Sequence, residues 1–129
     1  MSEHTELGAY GEYVVKRMLS SVEKTTFDGP ADLLFAGCVP IEVKTSNLTL
    51  YDGKRVGYQF LIRKDGHADL KGAVVVLVCV DSDNDLHFFV IPADEVGERR
   101  KLAIPADLDS YGGMWKVYRD NWEVIASCV

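Results

Sequence analysis

The sequence predicts one mixed α/β domain, a central β-sheet flanked by helices. Three observations predict it: an apolar stripe at helical spacing near the start, a short apolar segment that folds back on itself about Gly37, and a continuous apolar run from Ala73 to Val80 followed by a turn and another apolar segment. A helical period followed by strand-like runs is the pattern of a sheet layered with helices. A chain of 129 residues with 47% hydrophobic content suits one domain spanning 1–129, able to bury a core without disulfides or a structural metal.

The helix comes first. Leu7, Gly11, Val14, Val15, Met18, Leu19 and Val22 recur on one face, which predicts an amphipathic helix over roughly residues 6–22. Glu12 falls at the edge of that stripe, beside Gly8 and Leu19. Its carboxylate could run along the packed face toward the sheet, with Gly8 leaving room, or it could pair with Lys16 one turn on, an interaction worth only about 0.2–0.5 kcal/mol.

The next element is a hairpin, Ala31–Phe35 and Val39–Thr45 joined by Ala36-Gly37-Cys38. Centring the turn on Gly37 places Asp32 directly opposite Glu42 and Leu34 opposite Pro40. Proline has no N–H to give, so its pair suits a non-hydrogen-bonded position, and the Asp32–Glu42 pair then has the same character. Facing side chains are closest at such positions, so two like-charged carboxylates are forced together, and a hard divalent cation is the natural relief. Along the second strand Ile41 and Val43 point into the core while Glu42 and Lys44 point the other way. The competing reading makes Glu42 and Lys44 the solvated face of an edge strand and Asp32 a turn residue after Gly29-Pro30. Thr45 and Ser46 either donate to a phosphate or end the strand.

Gly57-Tyr58-Gln59-Phe60 reads as a half-buried strand, and Ala73–Asp81 as a core strand. Asp81-Ser82-Asp83-Asn84-Asp85 opens like a calcium loop but has Leu86 where the loop needs glycine and Pro92 where it needs glutamate, so it is read as the turn of a hairpin between Val74–Val80 and Leu86–Ile91. Ala93-Asp94-Glu95-Val96 starts a short helix, Leu102–Ile104 is strand or loop, and the aromatics from Tyr111 to Trp122 pack a last element onto the core or cover a dimer interface.

Taken together, Gly8-x-x-Gly11-Glu12, Gly29-Pro30-Ala31-Asp32 and Ile41-Glu42-Val43-Lys44 resemble the motif of the PD-(D/E)xK nuclease superfamily: an acid on a helix, an aspartate on one strand and Glu-x-Lys on the next. The resemblance covers roughly residues 6–91 and is similar to small members such as Holliday-junction resolvases and intron-encoded homing endonucleases. Ala31 separates Pro30 from Asp32, where the motif has the two adjacent. The resemblance implies a restriction-endonuclease-like fold and a Mg²⁺-dependent DNA endonuclease, with Mn²⁺ able to substitute. Asp32, Glu42 and the Val43 carbonyl would bind metal, Glu12 would complete or orient the site, and Lys44 would assist the attacking water. Gln59 either orients a water or phosphate near the metal or is an ordinary strand residue.

Net charge of −6 argues against a polyanion partner, but Lys54, Arg55, Arg63 and Lys64 cluster after the Glu-x-Lys strand and could line a DNA groove. Arg99-Arg100-Lys101 makes a second cluster, read as a solvated loop. Cys38, Cys79 and Cys128 are odd in number and far apart, which argues against a disulfide framework or a zinc site, and His4, His67 and His87 likewise show no metal-ligand spacing. No apolar run is long enough to span a bilayer, and the polar start is unlike a secretory signal, so a cytoplasmic protein is expected. A chain this small that cuts both strands, or holds a branched junction, needs two active sites, hence a homodimer or higher homo-oligomer. Branched DNA, a specific duplex and RNA are all compatible with these residues. The alternative class is a catalytically inactive module of the same fold that binds protein or nucleic acid.

Overall fold

The computed structural model describes residues 3–18, 22–24, 33–35, 39–51, 55–62, 74–97 and 99–126. Helix α1 (Glu3–Met18) is followed by strands β1 (Val22–Lys24), β2 (Leu33–Phe35) and β3 (Val39–Asn47). Then come β4 (Thr49–Tyr51), β5 (Arg55–Leu61), β6 (Val74–Val80) and β7 (Leu86–Pro92). The chain continues through α2 (Ala93–Val96), β8 (Lys101–Pro105), a short 3-10 turn (Lys116–Tyr118) and α3 (Glu123–Ala126). The strands form two sheets, β1-β2-β3-β6-β7 and β4-β5-β8. The main sheet is mixed: β3 and β6 run parallel, and its other neighbours are antiparallel.

Strand β6 is the apolar run that the sequence marks, and all seven of its residues are buried, as expected of a central strand covered on both faces. Its two faces feed two cores. Val74, Val76, Val78 and Val80 join Val39, Ile41 and Val43 of β3 and Val15 of α1. Val75, Leu77 and Cys79 join Tyr58, Phe60, Leu102 and Ile104 of the second sheet, Ile62 just beyond β5, and Trp115. The second sheet therefore closes the face that α1 leaves open. The aromatic tail packs as one of its two readings requires: Trp115 is buried, Trp122 lies against Phe88 with ring centroids 5.4 Å apart, and Tyr111 meets Phe89 edge-on at 6.3 Å. Arg99 stacks on Trp115 at 5.3 Å and donates to the Glu95 and Val96 carbonyls at the end of α2, so it is a structural cation.

Two local features have tertiary or turn-specific causes. Val22 continues the helical stripe of the sequence but belongs to β1, where it pairs with Phe35. Asp81–Asp85 is the expected hairpin turn, its register set by Val80 opposite Leu86. Asp81 organises it: its carboxylate accepts from the Asp83 and Asp85 N–H groups, each at 2.9 Å, and meets His87 Nε2 at 2.8 Å. Asn84 takes the left-handed conformation (φ 65°) that the turn needs. The bond to His87, then that from Asp85, holds the Asp81 carboxyl below its usual value. A lowered carboxyl stabilises the fold above the unfolded-state value, and that contribution is lost as pH falls through the lowered one. Asp81→Asn is thus expected to cost stability at neutral pH, with the difference from wild type shrinking in acid; urea titrations across that range measure it.

Candidate active site

Strand β3 lies between β2 and β6, in the interior of the main sheet. That overturns the reading of Glu42 and Lys44 as an exposed sheet edge. The strand also runs on to Asn47, so Thr45 does not end it. Both of its faces are covered: Ile41 and Val43 meet the α1 side, while Glu42 and Lys44 stand beside Val75 and Leu77, their register partners on β6, whose side chains belong to the core under the second sheet. Glu42 is only 8% exposed. Its Oε1 lies 3.0 Å from Lys44 Nζ, and the lysine side chain is the more open of the two. Holding an ion pair at the margin of an apolar layer costs desolvation that a pair of apolar residues would not.

The hairpin register is as the Gly37-centred turn requires. Leu33 pairs with Ile41, Leu34 with Pro40 and Phe35 with Val39. Pro40 precedes the first β3–β6 pair, Ile41 with Val74, so no ladder bond is asked of its missing N–H. Asp32 lies outside the described residues, as do the turn Ala36–Cys38, Lys54, Arg63, Lys64 and His67. Glu12 and Arg55 are placed only by their main chains, in α1 and β5.

α1 crosses β3 at Gly11. A Cβ at that position would collide with Thr45 Oγ1 and lie 3.1 Å from Thr45 Cβ, so glycine is what lets the helix approach the strand this closely. Thr45 accordingly belongs to the α1 side and is not on the Glu42–Lys44 face. Ser46, two residues beyond Lys44, is on that face and buried. Its hydroxyl donates to the Asn47 carbonyl at 2.8 Å and accepts the Gln59 N–H at 3.1 Å, tying the Glu-x-Lys strand to the second sheet. Neither role expected of Ser46, phosphate donor or strand end, is this one; the signal that points to it is its same-face spacing from Glu42 and Lys44. Gln59 itself does not join the pair. Tyr58 and Phe60 point into the core from β5, so Gln59 leaves the opposite, exposed face.

Competing chemistry in this layer is silent. Burial drives the Cys79 thiol far above its usual range and the Tyr58 phenol up to about 12, so both stay protonated and unreactive at neutral pH. The carboxylates of Asp81, Asp83 and Asp85 lie within 4.8 Å of one another, a spacing at which they could hold a cation. They stand at the far end of β6 from Val75, roughly 20 Å along the strand at about 3.3 Å per residue, and are separate from Glu42.

No protein-family model matches the sequence, and no curated protein does. Among solved structures, the chain matches a bacterial homing endonuclease, I-Ssp6803I, with a TM-score of 0.71 at 20% identity, over 98% of this chain and 94% of that one. The two share a fold. The mixed α/β domain with a central mixed sheet and few helices, expected from the sequence, is thereby the fold of a known nuclease. No helix among the described residues is long and apolar enough to cross a membrane.

Proposed function

We propose that the protein is a metal-dependent DNA endonuclease whose site is built on β3 at Glu42 and Lys44. The observation that carries the reading is the Glu42–Lys44 ion pair on an interior strand, its carboxylate nearly buried and its ammonium half-open, in a fold shared with a homing endonuclease. A charged pair held at the margin of a core is weak evidence for stability, which supports a role for it other than holding the fold. The described β2–β3 pairs keep the register of the Gly37-centred hairpin, and the sequence reading of Asp32 as the second carboxylate rests on that register. Glu12 is kept as a third acid on the resemblance of the sequence alone, since α1 packs on the Thr45 face of β3, opposite Glu42 and Lys44.

The donors on offer are two carboxylates and the Val43 carbonyl, hard oxygens that suit Mg²⁺ or Mn²⁺ better than a thiol-seeking or imidazole-seeking ion. A divalent ion held there would supply Lewis acidity toward a phosphodiester and its attacking water. Lys44 places a positive charge beside the phosphate and can orient the water, and Ser46 holds the second sheet over the strand that bears it. Lys54, Arg55, Arg63 and Lys64 are assigned to the DNA backbone, offsetting the overall charge of −6. Gln59, on the other face of β5, has no part in the chemistry. Two copies would be needed to cut both strands of a duplex.

The test is cleavage of a four-way junction, plasmid duplex, single-stranded DNA and RNA with Mg²⁺, Mn²⁺ or EDTA, comparing wild type with Glu42→Ala. Metal-dependent cutting that disappears in a folded mutant is the expected result and names the substrate class. Absence of both cutting and metal binding by calorimetry would replace the enzyme with a binding module.

A further inference from the structure

We propose that the outer face of the β4-β5-β8 sheet is the surface that reads DNA sequence, with Gln59 at its centre. This rests on the endonuclease reading and adds to it the surface that selects where the enzyme cuts. The face is defined by strand alternation: Tyr58, Phe60, Leu102 and Ile104 are buried inward, leaving Thr49, Gln59, Leu61, Lys101, Ala103 and Pro105 exposed. Register sets their neighbours. Gln59 stands across from Ala103, Leu61 across from Lys101, and Gly57 lies between Thr49 and Pro105. Ala103, directly across, presents only a methyl group beside the exposed Gln59.

Charge points to the occupant. The chain carries 20 acidic residues, yet none falls in these three strands, which include Arg55 and Lys101. In a protein of net charge −6, an acid-free sheet face is complementary to a polyanion. Its shape agrees, because a major groove about 12 Å wide admits a two-stranded β-ribbon, here the β5–β8 pair that carries Gln59, Leu61, Lys101 and Ala103. Glutamine can make paired hydrogen bonds to the N6 and N7 positions of adenine, and an apolar side chain such as Leu61, half exposed here, suits a thymine methyl. The Ser46 bond to the Gln59 N–H fixes this face to the strand that carries Glu42 and Lys44, so reading and cutting share one rigid frame.

The experiment measures duplex binding by fluorescence anisotropy in Ca²⁺, light-scattering mass, and the sequences selected from a random duplex library. Ala103→Glu, an acid at an exposed position beside Gln59, is expected to weaken binding by about tenfold or more at unchanged mass. Gln59→Ala is expected to relax base preference at one position of the selected site, and Lys101→Ala to lower the salt dependence by about one counterion. Glu123→Ala, on α3 in the other layer, should bind as wild type does. Wild-type cutting with unchanged affinity in Ala103→Glu and unchanged selection in Gln59→Ala would overturn the reading surface and leave the endonuclease standing. A change of mass in Ala103→Glu without loss of DNA affinity would assign the face to a second copy instead. Wild type that binds no duplex would overturn both.

Discussion

Lys44→Met is expected to lower DNA cleavage by about a hundred- to a thousandfold, the usual loss when one preorganised charge is taken from a phosphoryl- or acyl-transfer site. Methionine keeps much of the apolar stem that lies along β3, so the change removes charge more than packing. The same substitution has a measurable effect on stability, and its size can be argued. Breaking a buried ion pair costs about 3–5 kcal/mol, and breaking an exposed one costs less than about 1. Glu42 is nearly buried, but the Lys44 side chain is 29% exposed, so the loss falls between these limits, near 2 kcal/mol. Adding Glu42→Gln to Lys44→Met neutralises the carboxylate that has lost its ammonium and should recover part of that stability while restoring no activity. Urea unfolding and single-turnover cleavage, measured on the same three proteins, separate the two roles. A Lys44→Met enzyme that cuts at the wild-type rate would leave the lysine as a structural partner of Glu42 and nothing more.

The register of the hairpin that carries Glu42 and Lys44 is legible in the amino-acid sequence because the hairpin is short and symmetric. A turn centred on Gly37 and a proline that cannot donate leave one comfortable register, and Leu34 does face Pro40. β6 is equally plain, since seven apolar residues bounded by an Asp-rich turn fit a strand covered on both sides. The sequence does not tell what covers the polar face of β3. Alternation marks Glu42 and Lys44 as sharing a face, but whether that face meets water or another layer is decided by β5, which reaches it from elsewhere in the chain. The same non-local fact governs Gln59: alternation separates it from Tyr58 and Phe60, and only the packing of the second sheet shows that the aromatic side, not the amide, faces β3. Val22 errs in the opposite direction, because one residue of a three-residue strand carries no period of its own and falls in with the helical stripe before it.

The contact between α1 and β3 allows a prediction in which two effects of known sign oppose each other. Gly11→Ala, inside a helix, would ordinarily stabilise by about 0.8–1.0 kcal/mol, since alanine is the better helix former. Here the new Cβ would enter the Thr45 side chain, colliding with Oγ1 and standing 3.1 Å from Cβ and 3.4 Å from Cγ2. Overpacking of this kind costs about 1–3 kcal/mol when the neighbours must shift. Thr45 sits on a central strand and has little freedom to yield, so the clash should win and the variant lose about 1–2 kcal/mol net. The clashing atom belongs to Thr45, so Thr45→Ala should relieve it. Among the described residues the buried Thr45 hydroxyl has no hydrogen-bond partner, so little is lost by deleting it. Gly11→Ala with Thr45→Ala should therefore be more stable than Gly11→Ala alone, and a double-mutant cycle by urea unfolding measures the coupling. Activity gives a second readout. α1 packs on the Thr45 face of β3, opposite Glu42 and Lys44, so cleavage should fall in Gly11→Ala only with its folded fraction and return in the double variant. Additive stabilities would show that α1 does not bear on β3 at this point.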